Sequence, residues 1–405
     1  MSFNVALTGL NAANQDLTVT ANNLANVSTV GFKGSRAEFS DLFAATQTGV
    51  SSTAVGNGVA VSEVAQQFSQ GDLETTGNNL DLAISGNGFF TTSNNGALEY
   101  TRDGEFQVNS AGNVVTASGA NLQVYPPLAN GSFNTGGLSD LSLSAAEGAP
   151  NATTTVALTA NLPANATVPP DPAFLPTDPN SYNSTTSVTV YDSLGAAHTA
   201  SLYFTNTAPN AWNAQLYVDG NAVGIPQGLT YSSAGALLTP PGGTVGFPPY
   251  TPATGANAMD LTFNFNTTTQ YGNAFGVTAV TQDGYTTGLL SGISIGDTGI
   301  VQAQYTNGRS VNLGQVAMAN FANPQGLAQL GDASWGATSA SGSAVNGVAG
   351  GSGFGTISSG SLEESNVDTT TSLVDMITAQ RAFQANAQMI QTEDQVTQTI
   401  IGIRQ

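Results

Sequence analysis

The chain opens Phe3-Asn-Val-Ala-Leu7-Thr-Gly-Leu10-Asn-Ala-Ala-Asn14-Gln-Asp-Leu17-Thr-Val-Thr-Ala21-Asn-Asn-Leu24. Phe3, Leu7, Leu10, Asn14, Leu17, Ala21 and Leu24 recur at alternating steps of four and three residues. That spacing predicts a helix with a heptad seam about three heptads long. A single Asn on such a seam specifies register and costs stability. Residues 1–27 hold no proline, no glycine after Gly9 and one charge, Asp16. The start has neither a basic stretch nor a continuous apolar run, so no Sec-type signal peptide is expected.

The other end mirrors this. Leu373, Met376, Ile377, Phe383, Ala387 and Ile390 form a second stripe, which Val396, Ile400 and Ile403 continue on a slightly rotated face. A helix of about 35 residues within 368–405 is roughly 50 Å long at 1.5 Å per residue, the length of a coiled-coil arm. Ser372-Leu-Val-Asp375 resembles a capping box, with Asp368 and Thr369 to Thr371 as other cap candidates. Arg404 suits the C-terminal end of the helix dipole. Taken singly, each stripe fits an ordinary core helix. Together, at opposite ends of one chain, they predict helices that pack on each other and then on neighbouring molecules. Isolated helices are marginal in water, so both arms are expected to order on assembly.

Between the ends the chain reads as β. Turn signals at Asn94-Asn-Gly96, Arg102-Asp-Gly104 and Ser110-Ala-Gly-Asn113 follow the short strand Leu80–Ile84 at roughly 8–10-residue spacing. Ser187–Tyr191, a turn at Asp192–Gly195 and Ala200–Phe204 predict one hairpin, and Asn213–Val218 begins another. Pro163–Pro179 and Pro240–Pro252 read as loops or boundary linkers. The stretch 339–361 is rich in Gly, Ser and Ala and reads as a flexible connection. The expected fold is multidomain α+β: paired terminal helices forming a coiled-coil arm, plus two mainly-β domains, the outer inserted into the inner. The expected boundaries are 1–27 with 366–405 for the helical assembly domain and 28–75 with 336–365 for connecting segments. The inner β domain is expected at 76–147 with 286–335, and the inserted one at 148–285.

Composition limits the chemistry. Across 405 residues there are 6 Lys plus Arg against 26 Asp plus Glu, a formal charge of −20. Six scattered cations make no basic patch, which argues against nucleic acid and anionic membrane surfaces. No run is long and apolar enough to span a membrane, so no membrane insertion is expected. Charged residues are 8% of the chain, against about 25% in an average soluble protein. Asn, Thr, Ser, Gln and Gly take their place, giving a neutral polar surface. Cysteine is absent, which removes disulfides, thiolate nucleophiles and cysteine metal sites. The one histidine, His198, cannot build a multi-histidine site and reads as a hairpin side chain. Gly350-Gly-Ser-Gly-Phe-Gly355 lacks the strand and helix that frame a phosphate loop. Glu363-Glu364 reads as an exposed pair before the last helix. No catalytic, cofactor-binding or metal residue is expected.

Two terminal motifs carry a family resemblance. Ala21-Asn22-Asn23-Leu24-Ala25-Asn26-Val-Ser-Thr-Val-Gly31-Phe32-Lys33 resembles the N-terminal signature of the bacterial flagellar rod and hook proteins. Gly360-Ser-Leu-Glu-Glu-Ser365-Asn366-Val367-Asp368 and Met376-Ile-Thr-Ala-Gln380-Arg381-Ala-Phe383 resemble that family's C-terminal motif. Asp81–Phe90 and Tyr100–Phe106 resemble its shared core. Val188–Gly195 and Gly314–Asn323 resemble the hook members rather than the shorter rod members. The resemblance implies a structural subunit of a tubular homopolymer outside the cell, a flexible joint carrying motor torque to the filament. It also implies export without a Sec signal, and as partners the hook cap, distal rod, hook–filament junction proteins, hook-length control protein and flagellar export apparatus. A distal rod or other axial protein is the alternative. A secreted β-rich adhesin or glycan-binding protein shares the composition and needs no paired arms.

Overall fold

The computed structural model describes residues 2–42, 56–143, 148–171 and 173–403, and among them the chain divides into two compact units. The first comprises Met1–Ser144, Gly292–Gln304 and Ser310–Gln405; the second, Ala145–Ser291 with Tyr305–Arg309.

In the first unit, helix α1 (Ser2–Ala25) leads into an antiparallel hairpin of Ser35–Asp41 with Val59–Gln66. The chain then enters a large sheet whose neighbours run Ser310–Asn320, Asn121–Tyr125, Phe89–Asn94, Ala97–Thr101, Ser334–Gly336 and Ala328–Gly331. Strands from before and after the sequence insertion therefore share one sheet: Met318 pairs with Phe90, and Val316 with Val124. Leu82, Ile84, Phe90, Leu122, Val316 and Met318 form its main core. Phe89, Tyr100, Phe321 and Trp335 pack edge to face in a second cluster. Helix α2 (Thr369–Ile403) closes the chain.

The stretch 339–361 differs from its sequence reading. It carries strands Val345–Val348 and Thr356–Ser359 and the start of Ser361–Glu363. Thr356–Ser359 pairs with Leu82–Ser85, and Ser361–Glu363 with Leu73–Thr75. Two of its glycines mark close packing, not slack. A Cβ on Gly347 would stand 2.3 Å from the Phe354 ring, and one on Gly355 would stand 2.3 Å from the Ser85 carbonyl.

The second unit is two sheets over one core. Ser184–Tyr191, Ala197–Ala208, Ala211–Val218, Asn221–Tyr231 and Leu237–Thr239 form an antiparallel meander. Thr155–Pro163 lies in the other sheet, parallel to Thr262–Asn264 and Thr269–Tyr271 and antiparallel to Gly276–Gln282. Period-two burial follows directly from the pleat: Trp212, Ala214, Leu216 and Val218 point inward. The outward positions Thr199, Ser201, Thr205, Asn213 and Gln215 are uncharged, as the composition foretells.

Candidate assembly interface

Asp368 starts α2. Its Oδ1 accepts the Thr371 N–H at 2.7 Å and its carbonyl accepts the Ser372 N–H at 3.0 Å, the geometry of an N-cap. Bonds from the Thr371 hydroxyl and amide hold the Asp368 carboxyl below its usual range. The Ser372 capping box is therefore not used, because Ser372 is buried inside the first turn.

The two helices pack along each other in antiparallel register, with Gly9 level with Asn386 and Asp16 beside Asp375. On α2 the inward residues are Ser372, Met376, Ala379, Phe383, Asn386 and Ile390, a continuous heptad. Met376, Phe383 and Ile390 of the expected stripe lie on it, and Ala387 is half-buried beside it. Leu373, Ile377 and Val396 stay exposed. The Ile400 and Ile403 side chains lie outside the described residues, as does Arg404.

On α1 the inward seam is Ala6, Gly9, Ala13, Asp16, Thr20 and Asn23, also at steps of three and four. These residues are small because the helices approach closely; a Cβ on Gly9 would stand 2.7 Å from Asn386 Oδ1. The expected seam runs one residue later at every step, about 100° around the helix. Along it Phe3 and Leu7 are 45% and 40% exposed. Asn14 and Ala21 are exposed too, while Leu10, Leu17 and Leu24 are half-buried. The described residues thus leave this apolar strip without a complete cover. The small-residue seam was readable at the same spacing, but a reading by apolarity passes over Ala, Gly and Thr. Val19, also buried, lines a cleft of about 560 Å³ with Ala37 of the hairpin, so α1 does have a β neighbour. From the Gly9–Asn386 level, Ser2 stands opposite about residue 393 at equal rise on both helices. The last turns of α2 therefore project past α1, and Val396 and Ile401 are 49% and 61% exposed there.

The family-motif residues meet at the base of these helices. Asn23 imitates a strand neighbour: its Oδ1 accepts the Ser35 N–H at 2.8 Å and its Nδ2 donates to the Ser35 carbonyl at 2.7 Å. Asn26 donates to the Asn22 carbonyl, and its Oδ1 accepts the Thr29 hydroxyl. Gly31 has φ +67° and donates to the Glu363 carbonyl at 2.7 Å; a Cβ there would meet the Asp103 nitrogen at 2.4 Å. Asn366 accepts the Gly34 N–H and donates to the Gln67 and Ser69 carbonyls. Leu24, Ala25, Phe32, Ser365 and Val367 flank these bonds. Gln380 and Arg381 lie apart, exposed on α2.

Glu363 is not the exposed residue that the sequence suggests. It is fully buried, whereas Glu364 is exposed. Lys33 Nζ lies 2.5 Å from Glu363 Oε1, and Arg102 Nη1 lies 2.9 Å from Oε2. Gly71 N–H adds a third donor at 2.9 Å, Lys33 also donates to the Ser69 carbonyl, and Arg102 to that of Gly86. Burial pushes the Lys33 ammonium down, while Glu363 opposes that shift. Two of the six cations are thus spent on one internal carboxylate.

His198 is clamped between turns of the second unit. Nδ1 stands 2.6 Å from Asp219 Oδ2 and Nε2 3.1 Å from Asp192 Oδ2, which also accepts the Thr254 hydroxyl. Both hairpin ends are tied by this arrangement. Among the described residues, no group of three or more His, Asp or Glu is placed to hold a metal ion, and no helix is long and apolar enough to cross a membrane.

Comparison with known proteins agrees along the whole chain. Residues 3–33 match the flagella basal body rod protein model and 83–172 the flagellar hook protein FlgE/F/G D1 domain. Residues 161–285 match the flagellar basal body protein FlaE D2 domain and 358–403 the flagellar basal body rod FlgEFG protein C-terminal model. The chain is 39% identical to the flagellar hook protein FlgE of Salmonella typhimurium and to that of Escherichia coli, each alignment covering 100% of both proteins. Identity to the flagellar hook protein FlgE of Rhizobium meliloti is 32%, over 100% of this chain and 98% of that protein. The crystal structure of Helicobacter pylori flagellar hook protein FlgE2 shares the fold, with a TM-score of 0.51 at 14% identity, over 70% of this chain and 98% of that one. With full-length identity of this order and the family models in their expected sequence order, the chain belongs to the flagellar hook protein family.

Proposed function

We propose that this chain is the structural subunit of a flagellar hook, a helical tube of identical copies acting as a flexible joint between motor and filament. The carrying observation is the apolar strip of α1, left incompletely covered by the described residues beside a helix pair whose own seam uses other residues. An open helical polymer needs unlike patches that meet on successive copies. The strip through Phe3, Leu7, Leu10, Asn14, Leu17, Ala21 and Leu24 is one such patch. The outer face of α2, with Leu373 and Ile377 and the projecting Val396, is the other.

In this reading residues 1–27 with 366–405 build the tube wall, and 28–75 with 336–365 connect it to the inner β domain at 76–147 with 286–335. Residues 148–285 form the outer domain. Its uncharged face offers weak hydrogen bonds of about 0.5–1.5 kcal/mol each, which neighbouring copies can exchange as the tube bends. An opposite-charge pair placed across such a contact would stiffen the hook. The role is mechanical rather than enzymatic and uses no cofactor. Family partners are the hook cap, distal rod, hook–filament junction, hook-length control protein and export apparatus, reached without a Sec signal. Electron microscopy of the purified chain tests the proposal. Tubes support it. Monodisperse protomers that bind glycans would favour an adhesin instead.

A further inference from the structure

Resting on that hook reading, we propose that adjoining copies interlock through a charge clamp in which Arg381 of one copy enters the cleft at the arm base of the next and sits against Asp16 and Asp375. Asp16 and Asp375 face each other across the two helices as a like-charged pair, with Asp16 partly buried. Among the described residues no cation forms an ion pair with either. Arg36 lines the same cleft, but its guanidinium is engaged by Glu38 at 2.8 Å. Burial and the Asp375 charge hold the Asp16 carboxyl above its usual range. The cleft of about 560 Å³ has room for a guanidinium between these acids.

Arg381 is the complementary half. It is exposed and has no acid within ion-pair distance among the described residues. It also continues the uncovered strip of α2, four residues beyond Ile377, which is four beyond Leu373. Apolar contact and charge are therefore presented together, as a docking patch requires. Arg381 cannot serve its own Asp375: six residues further on, it stands about 9 Å up the helix and about 120° around it. A second copy displaced along the arm brings the two together, and the contact is heterologous, as an open polymer demands.

The absence of cysteine makes the test clean. In the full-length Arg381→Cys/Asp375→Cys double variant, no disulfide closes within a protomer, because the Cα separation exceeds about 7 Å. Mild oxidation of its tubes should give a ladder of covalent oligomers on a non-reducing gel, absent from either single-cysteine variant. Arg381→Glu should raise the critical concentration for tube formation at least tenfold, and Arg381→Glu/Asp375→Arg should restore it to within about twofold. Wild-type tubes with no ladder and no rescue overturn the clamp alone; no wild-type tubes overturn the hook reading with it.

Discussion

Lys33 and Glu363, 330 residues apart in sequence, meet at 2.5 Å with both side chains out of water. Arg102 completes the group from the core sheet. The first and last motifs of the chain are thus tied to each other and to the β domain at one point. Burying such charges has a large desolvation cost, offset only while every partner is in place. Glu363→Ala would leave two buried cations facing no anion. We expect a loss of about 3–5 kcal/mol in the unfolding free energy of the first unit, read by urea titration. The exposed neighbour change Glu364→Ala should stay within about 0.5 kcal/mol.

The offset between the two seams of α1 separates assembly from arm pairing. Leu7→Asp and Ile377→Asp place charge on uncovered faces, so each should abolish tubes while helix content and the β-domain melting transition hold. Gly9→Leu acts on the inner seam, where even a Cβ would stand 2.7 Å from Asn386 Oδ1. It should lower helix content measured by circular dichroism. Normal tubes from Leu7→Asp would remove the strip from the assembly surface.

Strong periodicity made the helices legible: α1 ends at Ala25 and α2 begins at Thr369, where the stripes and cap candidates put them. The β alternation of Asn213–Val218 was equally plain, since the pleat forces it. Tertiary chemistry was not. Nothing local distinguishes Glu363 from Glu364, because the difference lies in Lys33 and Arg102, hundreds of residues upstream. Gly347 and Gly355 look like slack in sequence because glycine serves mobility and close packing alike. The inner seam escaped because Ala6, Gly9 and Ala13 pack by being small rather than by being oily.

His198 makes the second unit sensitive to alkali. Burial opposes the imidazolium, but its bonds to Asp219 and Asp192 outweigh that and hold it above its ordinary value. Asp192 is correspondingly held down to about 2, its burial outweighed by bonds from Thr254 and His198. The Tyr250 ring is the other group beside the imidazole, at 6.4 Å. A raised folded pKa means that the folded state binds the proton more tightly. This stabilisation is complete below about pH 6.5 and is lost as pH rises through the folded value. Thermal melting of the second unit should therefore fall as pH rises above about 6.5. The decline should vanish in His198→Gln, and an equal decline in that variant would assign it elsewhere.

Asp103 has the opposite character, being a carboxyl in an acidic cleft. Burial, with the charges of Glu105, Asp332 and Asp81, raises it to about 6, against one bond from the Glu105 N–H. The cleft, about 460 Å³, is also lined by Glu99, Glu105 and Asp332. Here the folded state holds a proton that the unfolded chain has released by about pH 4, so stability declines as pH rises towards and through 6. Asp103→Asn keeps an acceptor for the Glu105 amide and removes the charge. At pH 8 it should stabilise the first unit by about 1–2 kcal/mol, below the roughly 3 that the full shift implies, because the cleft is open to water. At about pH 3, variant and wild type should unfold at nearly the same urea concentration, since Asp103 is then neutral in the folded chain and mostly neutral in the unfolded one. A gain of equal size at both pH values would mean that the carboxyl is ionised throughout and that its setting does not hold the proton.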